Sequence, residues 1–360
     1  MPLKIYMRKK KIINNIDAIN EALHFSMQKD KKVITYGLGA TDPGKIFQTN
    51  KNLLSKFGPS RIFDTPTSEN SLVGMGIGAS LLGIRSIISS QRIDFITLAM
   101  DQIINGAAKW HYMTGGKIKV PIVLRLIVGR GWGQGATHSQ NFHSLFSSVP
   151  GLKIVMPTFP NDTRSILIES IFDNNPVIFI EQRWIHNFRQ NKLPYKKIKI
   201  GKSLVKKKGN DLTIVGMSYS TIQALKVSDI LSKLGYNVEV IDLISIIPLD
   251  KNTILNSVKK TKRLLVLEIG SGFSSLGSEI ISIVTNELFS DLHAKPIKMS
   301  FPDIPNISSS FVSAKLYYNE YDILKTIKKN FFKKLKINNE IKKKTNSYPD
   351  IPGKYFQGPF

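Results

Sequence analysis

The sequence contains no cysteine, so disulfide scaffolds, thiolate zinc sites and cysteine nucleophiles are excluded and stability must come from packing. Acidic residues are scarce: 26 Asp and Glu stand against 51 Lys and Arg, a formal net charge of +25. Most of the excess is lysine scattered among Ile and Asn, which reads as compositional drift and not as a nucleic-acid stripe. The local exception is residues 325–344, where nine Lys meet one acid in what reads as a solvated helix or tail. No apolar run reaches the roughly 18 residues needed to cross a bilayer. The basic residues 1–11 lead into an amphipathic stretch and not into a signal-peptide core. A soluble, unexported, cytoplasmic protein is expected.

What is present suffices for two cores, because 360 residues with 42% hydrophobic content exceed the size at which single cores stop growing. Residues 12–29 place Ile16, Ile19, Leu23 and Met27 at helical spacing, and Val33-Ile34-Thr35-Tyr36 then runs into Gly37 as a short buried strand. Strand-like runs recur at 61–64, 85–89, 120–126, 153–156 and 177–180, separated by helix-length segments such as 70–83 and 97–113. Strand and helix in alternation predict an α/β fold with doubly wound, mainly parallel sheets. The polar stretch 189–210, with Pro194, is the expected linker between a first domain at 1–188 and a second at 211–330. In the second, strands are expected at 212–216, 238–242, 264–267 and 297–300, with helices at 221–234 and 277–289. Residues 331–360 read as a Lys-rich extended tail closing on Ser347-Tyr348-Pro349-Asp350-Ile351-Pro352-Gly353.

Three features could carry chemistry. Asp64-Thr65-Pro66-Thr67-Ser68-Glu69-Asn70 puts a carboxylate after a strand and at the mouth of a Gly-rich helix, where ligands sit in open parallel sheets; on its own, Glu69 also reads as a helix-start charge. Residues 126–140 hold Gly129, Gly131, Gly133 and Gly135 with Trp132 and end in Thr137-His138-Ser139-Gln140, a long functional loop in which His138 could equally be a surface histidine. Asp173-Asn174-Asn175-Pro176 lies between a helix and a strand, and a plain turn is its simplest reading.

Taken in order, these segments resemble the beta subunits of pyruvate and branched-chain 2-oxo acid dehydrogenases. The likeness runs through 64–69, Asp94-Phe95, Met100-Asp101-Gln102-Ile103, His138-Ser139-Gln140, Pro150-Gly151-Leu152-Lys153 and 173–176, then through Val240-Ile241-Asp242-Leu243, Pro248-Leu249-Asp250 and Gly277-Ser278-Glu279-Ile280. It implies a transketolase-like pyrimidine-binding domain followed by a transketolase C-terminal-like domain. It also implies that Glu69 hydrogen-bonds the aminopyrimidine of thiamine diphosphate. A carboxyl group in a partly apolar pocket holds its proton more tightly and so can favour the imino tautomer that activates the cofactor for attack on a 2-oxo acid. The cofactor would supply the electron sink. Phe95 would stack on the pyrimidine, Thr67 and Gln91 would line its pocket, and His138 would bind substrate and steer proton and acyl transfer. By the same resemblance, Ile122, Ser170, Ile171, Asp173 and Asn175 would hold a structural potassium ion.

The sequence lacks the Gly-Asp-Gly with downstream Asn through which thiamine enzymes hold magnesium and the diphosphate. The resemblance therefore implies an alpha-type partner carrying that motif and the Mg2+, in an alpha-two beta-two heterotetramer, with a small 2-oxo acid as substrate. The sequence departs from many relatives in having Gly37-Leu38-Gly39 where they carry Gly-Glu. The 129–135 loop and the ending Phe356-Gln357-Gly358-Pro359-Phe360 resemble a divergent subgroup whose members need not pass product to a lipoyl-bearing acyltransferase, so the acceptor stays open. Two other readings remain: the C-terminal half of a split transketolase, and a non-catalytic partner subunit.

Overall fold

The computed structural model describes residues 11–131, 133–313 and 315–345. Residues 1–10, Trp132 and the two Pro/Gly-punctuated segments of the ending lie outside the described residues. The first part of the chain forms β1 (Ile12–Asn14), β2 (Val33–Tyr36), β3 (Ile62–Phe63), β4 (Arg85–Ser90), β5 (Ile122–Val128), β6 (Lys153–Val155), β7 (Val177–Gln182) and β8 (Arg189–Asn191). Its helices are α1 (Asn15–Lys29), α2 (Leu53–Phe57), α3 (Glu69–Leu81), α4 (Trp110–Met113), α5 (His143–Ser147) and α6 (Pro160–Ile171). The second part adds β9 (Leu204–Lys207), β10 (Leu212–Gly216), β11 (Val238–Asp242), β12 (Ser245–Ile247), β13 (Leu264–Ser271) and β14 (Ile297–Phe301). With them come α7 (Tyr219–Lys233), α8 (Lys251–Thr261), α9 (Leu276–Leu288), α10 (Ser310–Ser313), α11 (Glu320–Asn330) and α12 (Asn339–Thr345).

A seven-stranded sheet of order β12-β6-β7-β5-β4-β2-β3 and a five-stranded sheet of order β14-β13-β10-β11-β9 form the two layers of strands. Pairing is parallel except at the edges, where β12 on β6 and β9 on β11 run antiparallel. β5 and β7 are buried along their whole length, which is why they read as continuous apolar runs and not as alternation. Helix α1 begins where the Asn14 side chain accepts the Asp17 N–H (2.8 Å), and it buries Ile19, Leu23 and Met27, the stripe expected from their spacing.

Four details differ from expectation. The segment 97–113 is not one helix: it breaks into a 3-10 turn at Phe95–Ala99, a π-helical stretch at Gln102–Ala107 and α4. The expected linker is structured at both ends, with β8 paired to β1 and β9 to β11. β12, although it follows the strands of the second sheet, crosses back to the edge of the first. Beyond Asn330 the chain stays docked, since Phe332 and Leu335 are buried in the second core and Ile337 and Ile341 pack on it. Each difference depends on a partner far away in sequence, so local periodicity carries no trace of it.

The two sheets share one core: Leu124, Ile154 and Met156 cluster with Val215, Ile241, Leu243, Ile269 and Leu276. Polar contacts reinforce the junction. Thr158 Oγ1 donates to Asp242 Oδ1 (2.7 Å), which also accepts from Thr221 Oγ1 (2.8 Å). Burial pushes the Asp242 carboxyl up to about 7, against the opposing charge of Lys206 and the hydrogen bonds from Thr158 and Thr221. Its ordinary value is 3.8. Because the folded value lies above the unfolded one, this group's contribution to stability is full below the unfolded value and is lost as pH rises through about 7. Asp242→Asn should therefore gain on the parent by on the order of 2 kcal/mol between pH 5 and pH 8 in urea unfolding. An equal difference at both pH values would contradict this.

Candidate active site

The candidate residues follow the carboxyl ends of β3, β4 and β5 of one sheet, in which β2 lies between β3 and β4, and the carboxyl edge is where an open parallel sheet places its ligand crevice. After β3 comes the turn holding the exposed Asp64 and Thr67, and α3 then starts at Glu69. Glu69 is only 9% exposed, yet its carboxylate has no hydrogen bond or ion pair among the described residues. Such a carboxylate is poised to accept a hydrogen bond from a ligand.

Close packing fixes its position. A Cβ at Gly76 would stand 2.9 Å from Tyr36 Oη and from Ile88 Cδ1, so only glycine lets α3 settle on the sheet. Tyr36 Oη donates to the Leu72 carbonyl (3.0 Å), and its ring stacks on Phe63 at 5.1 Å.

At the end of β4, Gln91 Nε2 donates to the Leu38 carbonyl (3.2 Å) and presses on Gly39, whose φ of +77° and 2.3 Å clearance to that amide exclude any side chain. The Gly39 N–H donates to Asp64 Oδ1 (2.7 Å), so the ends of β2, β3 and β4 are tied together. Phe95 is 36% exposed, a high value for a phenyl ring among packed elements, and meets the His138 ring edge-on at 5.5 Å and 75°. Its neighbour Ile96 shares a core cluster with Val73 of α3, which anchors the Phe95 turn against the Glu69 helix.

His138 arrives on the glycine-rich loop after β5, in which Gly131, Gly133 and Gly135 take φ of +92°, +70° and +67°. Arg92 holds this loop: its Nη1 donates to Gln134 Oε1 (2.7 Å) and to the His138 carbonyl (3.3 Å). Gln140 Nε2 donates to Asp94 Oδ1 (2.8 Å). His138 Nδ1 is buried with no protein partner. Burial raises the Asp94 carboxyl above its ordinary value against the Gln140 hydrogen bond, and burial also lowers the Arg92 guanidinium, with Asp94 opposing. The structure thus brings Phe95 and His138 into contact, places Gln91 at the end of β4 and Glu69 after β3, two strands away, and leaves Thr67 exposed on the turn before Glu69. The reading of the sequence missed Arg92. A lone arginine two residues after a buried strand was its only signal.

A cavity of about 770 Å3 opens beside this loop. It is walled by Thr137, Ser139 and Gln140 on one side and by Ile269, Ser271 and Phe301 of the second sheet on the other. The carboxyl ends of β5 and β7 face those of β13 and β14 across it.

Basic side chains hold the turn after α6. Arg85 Nη1 donates to the carbonyls of Ile171 (3.2 Å) and Asp173 (2.8 Å), and Nη2 donates to Asn174 Oδ1 (2.8 Å). The Ser170 carbonyl accepts the Asp173 N–H (3.3 Å), and the Ile122 N–H bonds Val120. Burial would raise the Asp173 carboxyl, but hydrogen bonds from Lys153 (2.6 Å) and Asn175, with the Lys153 charge, hold it below its ordinary value. Two cationic side chains already serve this turn. Of the set Ile122, Ser170, Ile171, Asp173 and Asn175, the Ile171 and Asp173 carbonyls accept from Arg85, each with one lone pair left over.

Comparison with known proteins agrees with this architecture. Residues 11–186 match the family model for the transketolase pyrimidine-binding domain, and residues 201–318 match that for the transketolase C-terminal domain. The chain is 38% identical over 317 residues to a pyruvate dehydrogenase E1 component subunit beta of Rickettsia bellii (strain RML369-C), covering 87% of this chain and 97% of that protein. It is 36% identical over 309 residues to the beta subunit of an acetoin:2,6-dichlorophenolindophenol oxidoreductase of Bacillus subtilis (strain 168), covering 82% and 90%. A solved split-gene transketolase, described as an inactive beta4 tetramer, superimposes with a TM-score of 0.74 at 22% identity over 89% of this chain and 99% of that one. The chain belongs to the transketolase-like thiamine-enzyme family, among the beta subunits of 2-oxo acid dehydrogenase E1 components. Among the described residues no helix is long and apolar enough to cross a membrane.

Proposed function

We propose that this chain is the beta subunit of a heteromeric, thiamine-diphosphate-dependent 2-oxo acid dehydrogenase, active only with an alpha-type subunit. The observation that carries the reading is the Glu69 side chain, 9% exposed and without a protein partner among the described residues, at the carboxyl edge of the sheet that also carries the Phe95–His138 pair.

The residues suit the pyrimidine end of the cofactor. Glu69 would hold a proton at the ring nitrogen, Phe95 would cover a ring face, and Gln91 would close the pocket wall against Leu38. When bound, thiamine diphosphate supplies the electron sink for decarboxylation. His138, with Nδ1 unengaged by protein, would accept or donate a proton at the substrate. Phe95 and the loop backbone would exclude water from the reacting atoms. Magnesium and the diphosphate are assigned to the alpha subunit, whose Gly-Asp-Gly and Asn would hold them in an alpha-two beta-two assembly. A structural potassium ion at Ile122, Ser170, Ile171, Asp173 and Asn175 would share the Ile171 and Asp173 carbonyls with Arg85. A lipoyl acyltransferase is the proposed acceptor.

The test is reconstitution with an alpha-type subunit carrying Gly-Asp-Gly, followed by assay with pyruvate, a branched 2-oxo acid and a ketose phosphate. Carbon dioxide release from a 2-oxo acid is expected. Ketol transfer without it would establish the split-transketolase reading, and no turnover with any of them would point to a non-catalytic subunit.

A further inference from the structure

The loop carrying His138 has no secondary structure of its own, and three of its glycines adopt left-handed backbone, so something outside must hold it. Arg92 does so from one side. From the other side the second sheet does so through a buried contact that reaches α5. His143 Nε2 lies 2.8 Å from Glu268 Oε1 of β13, and both side chains are essentially inaccessible to solvent. His143 Nδ1 lies 2.9 Å from Oδ1 of Asn141, the residue after Gln140. Both ring nitrogens thus face side-chain oxygens.

Glu268 is fixed in turn. Its carboxylate accepts N–H groups from Ile269 (2.9 Å), Gly270 (3.4 Å) and Gly277 (3.1 Å). Burial would raise its carboxyl, but the neighbouring His143 and these backbone donors hold it below its ordinary value. Ser144 Oγ accepts the Leu276 N–H at the start of α9 (3.2 Å), and a Cβ at Gly270 would come within 3.4 Å of both the Asn141 carbonyl and His143 Cε1. The first turn of α5 is therefore bolted to the ends of β13 and α9, five residues beyond His138.

We propose that His143 and Glu268 are positioning residues for His138: through them the second domain sets where the imidazole and Gln140 stand. The proposal rests on the function proposed above. Both side chains are closed off from solvent, so the effect assigned to them passes through His138. A displacement of about 1 Å at a reacting group is enough to lower a rate by up to about a hundredfold.

The experiment uses the complex with the alpha-type subunit, turning over a 2-oxo acid with a redox-dye acceptor. His143→Gln and Glu268→Gln are each made in the parent and in the His138→Ala background. In the parent, each should lower kcat by about tenfold or more with KM changed less than about twofold. In the His138→Ala background the same substitutions should produce no further loss of the residual rate, because the interaction they act through is gone. Equal fractional losses in both backgrounds, an unchanged kcat in the parent, or loss of assembly in both variants would overturn the proposal. A readout independent of catalysis is tryptic cleavage after Arg130, which should be faster in both variants than in the parent. If the parent complex decarboxylates no 2-oxo acid, the function falls, while the cleavage rates still decide whether the strut holds the loop.

Discussion

Glu69→Gln should lower turnover of the reconstituted enzyme by about 10²–10⁴-fold, the range over which a positioned acid–base group contributes, while leaving fold and assembly intact. The amide keeps the size of the carboxyl group and can still form one hydrogen bond, so packing against α3 is preserved. It cannot share a proton with a ring nitrogen, so tautomer control is lost. In the structure Glu69 makes no bond or ion pair with the described protein, so its replacement removes no intramolecular contact. Thermal unfolding of the variant should therefore match the parent. A variant with near-parent kcat would mean that the carboxylate is a helix-start charge and nothing more.

Glu181→Gln should destabilise the chain by about 3–5 kcal/mol, the penalty typical of stranding a buried charge. Arg125 on β5 and Glu181 on the neighbouring β7 stand diagonally across the centre of the first sheet, with no solvent exposure to speak of. Arg125 Nε meets Glu181 Oε1 at 2.6 Å and Nη2 meets Oε2 at 3.1 Å, and the remaining donors reach Thr49, Asn50 and Ser89. Burial would raise the Glu181 carboxyl, but the charge of Arg125, the nearby His186 ring at 3.6 Å and the hydrogen bonds from Arg125 outweigh it and hold it below its ordinary value. Stability from this group is accordingly present above the unfolded value and lost as pH falls through the folded one. Urea unfolding should give a large deficit for the variant at neutral pH and a smaller one in acid. Replacing both partners with Met should recover much of the deficit, because the pair's desolvation penalty disappears with its attraction.

Much of this molecule could be read from its sequence, for reasons that are local. The runs that became β2, β4, β5, β10 and β11 are apolar and bounded by turn residues, and α1, α7 and α9 carry their buried stripes at helical spacing. Glu69 is legible as a residue that follows a strand, whereas Gln91, Phe95 and His138 are singled out by the family resemblance alone; the structure puts their segments after β3, β4 and β5 of one sheet. What could not be read is pairing at a distance. Nothing near Ser245 announces that it will join β6, and nothing near His143 announces Glu268 some 125 residues away. The helix expected at 97–113 failed for a related reason. A Cβ at Gly106 would stand 2.9 Å from Ile77 Cδ1 of α3, so this segment is shaped by the helix it packs against and widens into a π-helical stretch there. The Asp173 turn shows the same limit: nothing near it announces that Arg85, from a strand more than 80 residues earlier, donates to its Ile171 and Asp173 carbonyls.

The account stands on a cofactor pocket split between two polypeptides, with this chain supplying only the pyrimidine end. Calorimetric titration of thiamine diphosphate with magnesium into the purified chain, alone and after assembly with the alpha-type subunit, addresses that claim directly. No measurable binding to the chain alone and tight binding to the assembled pair is the predicted result. Equal, tight binding in both would contradict it.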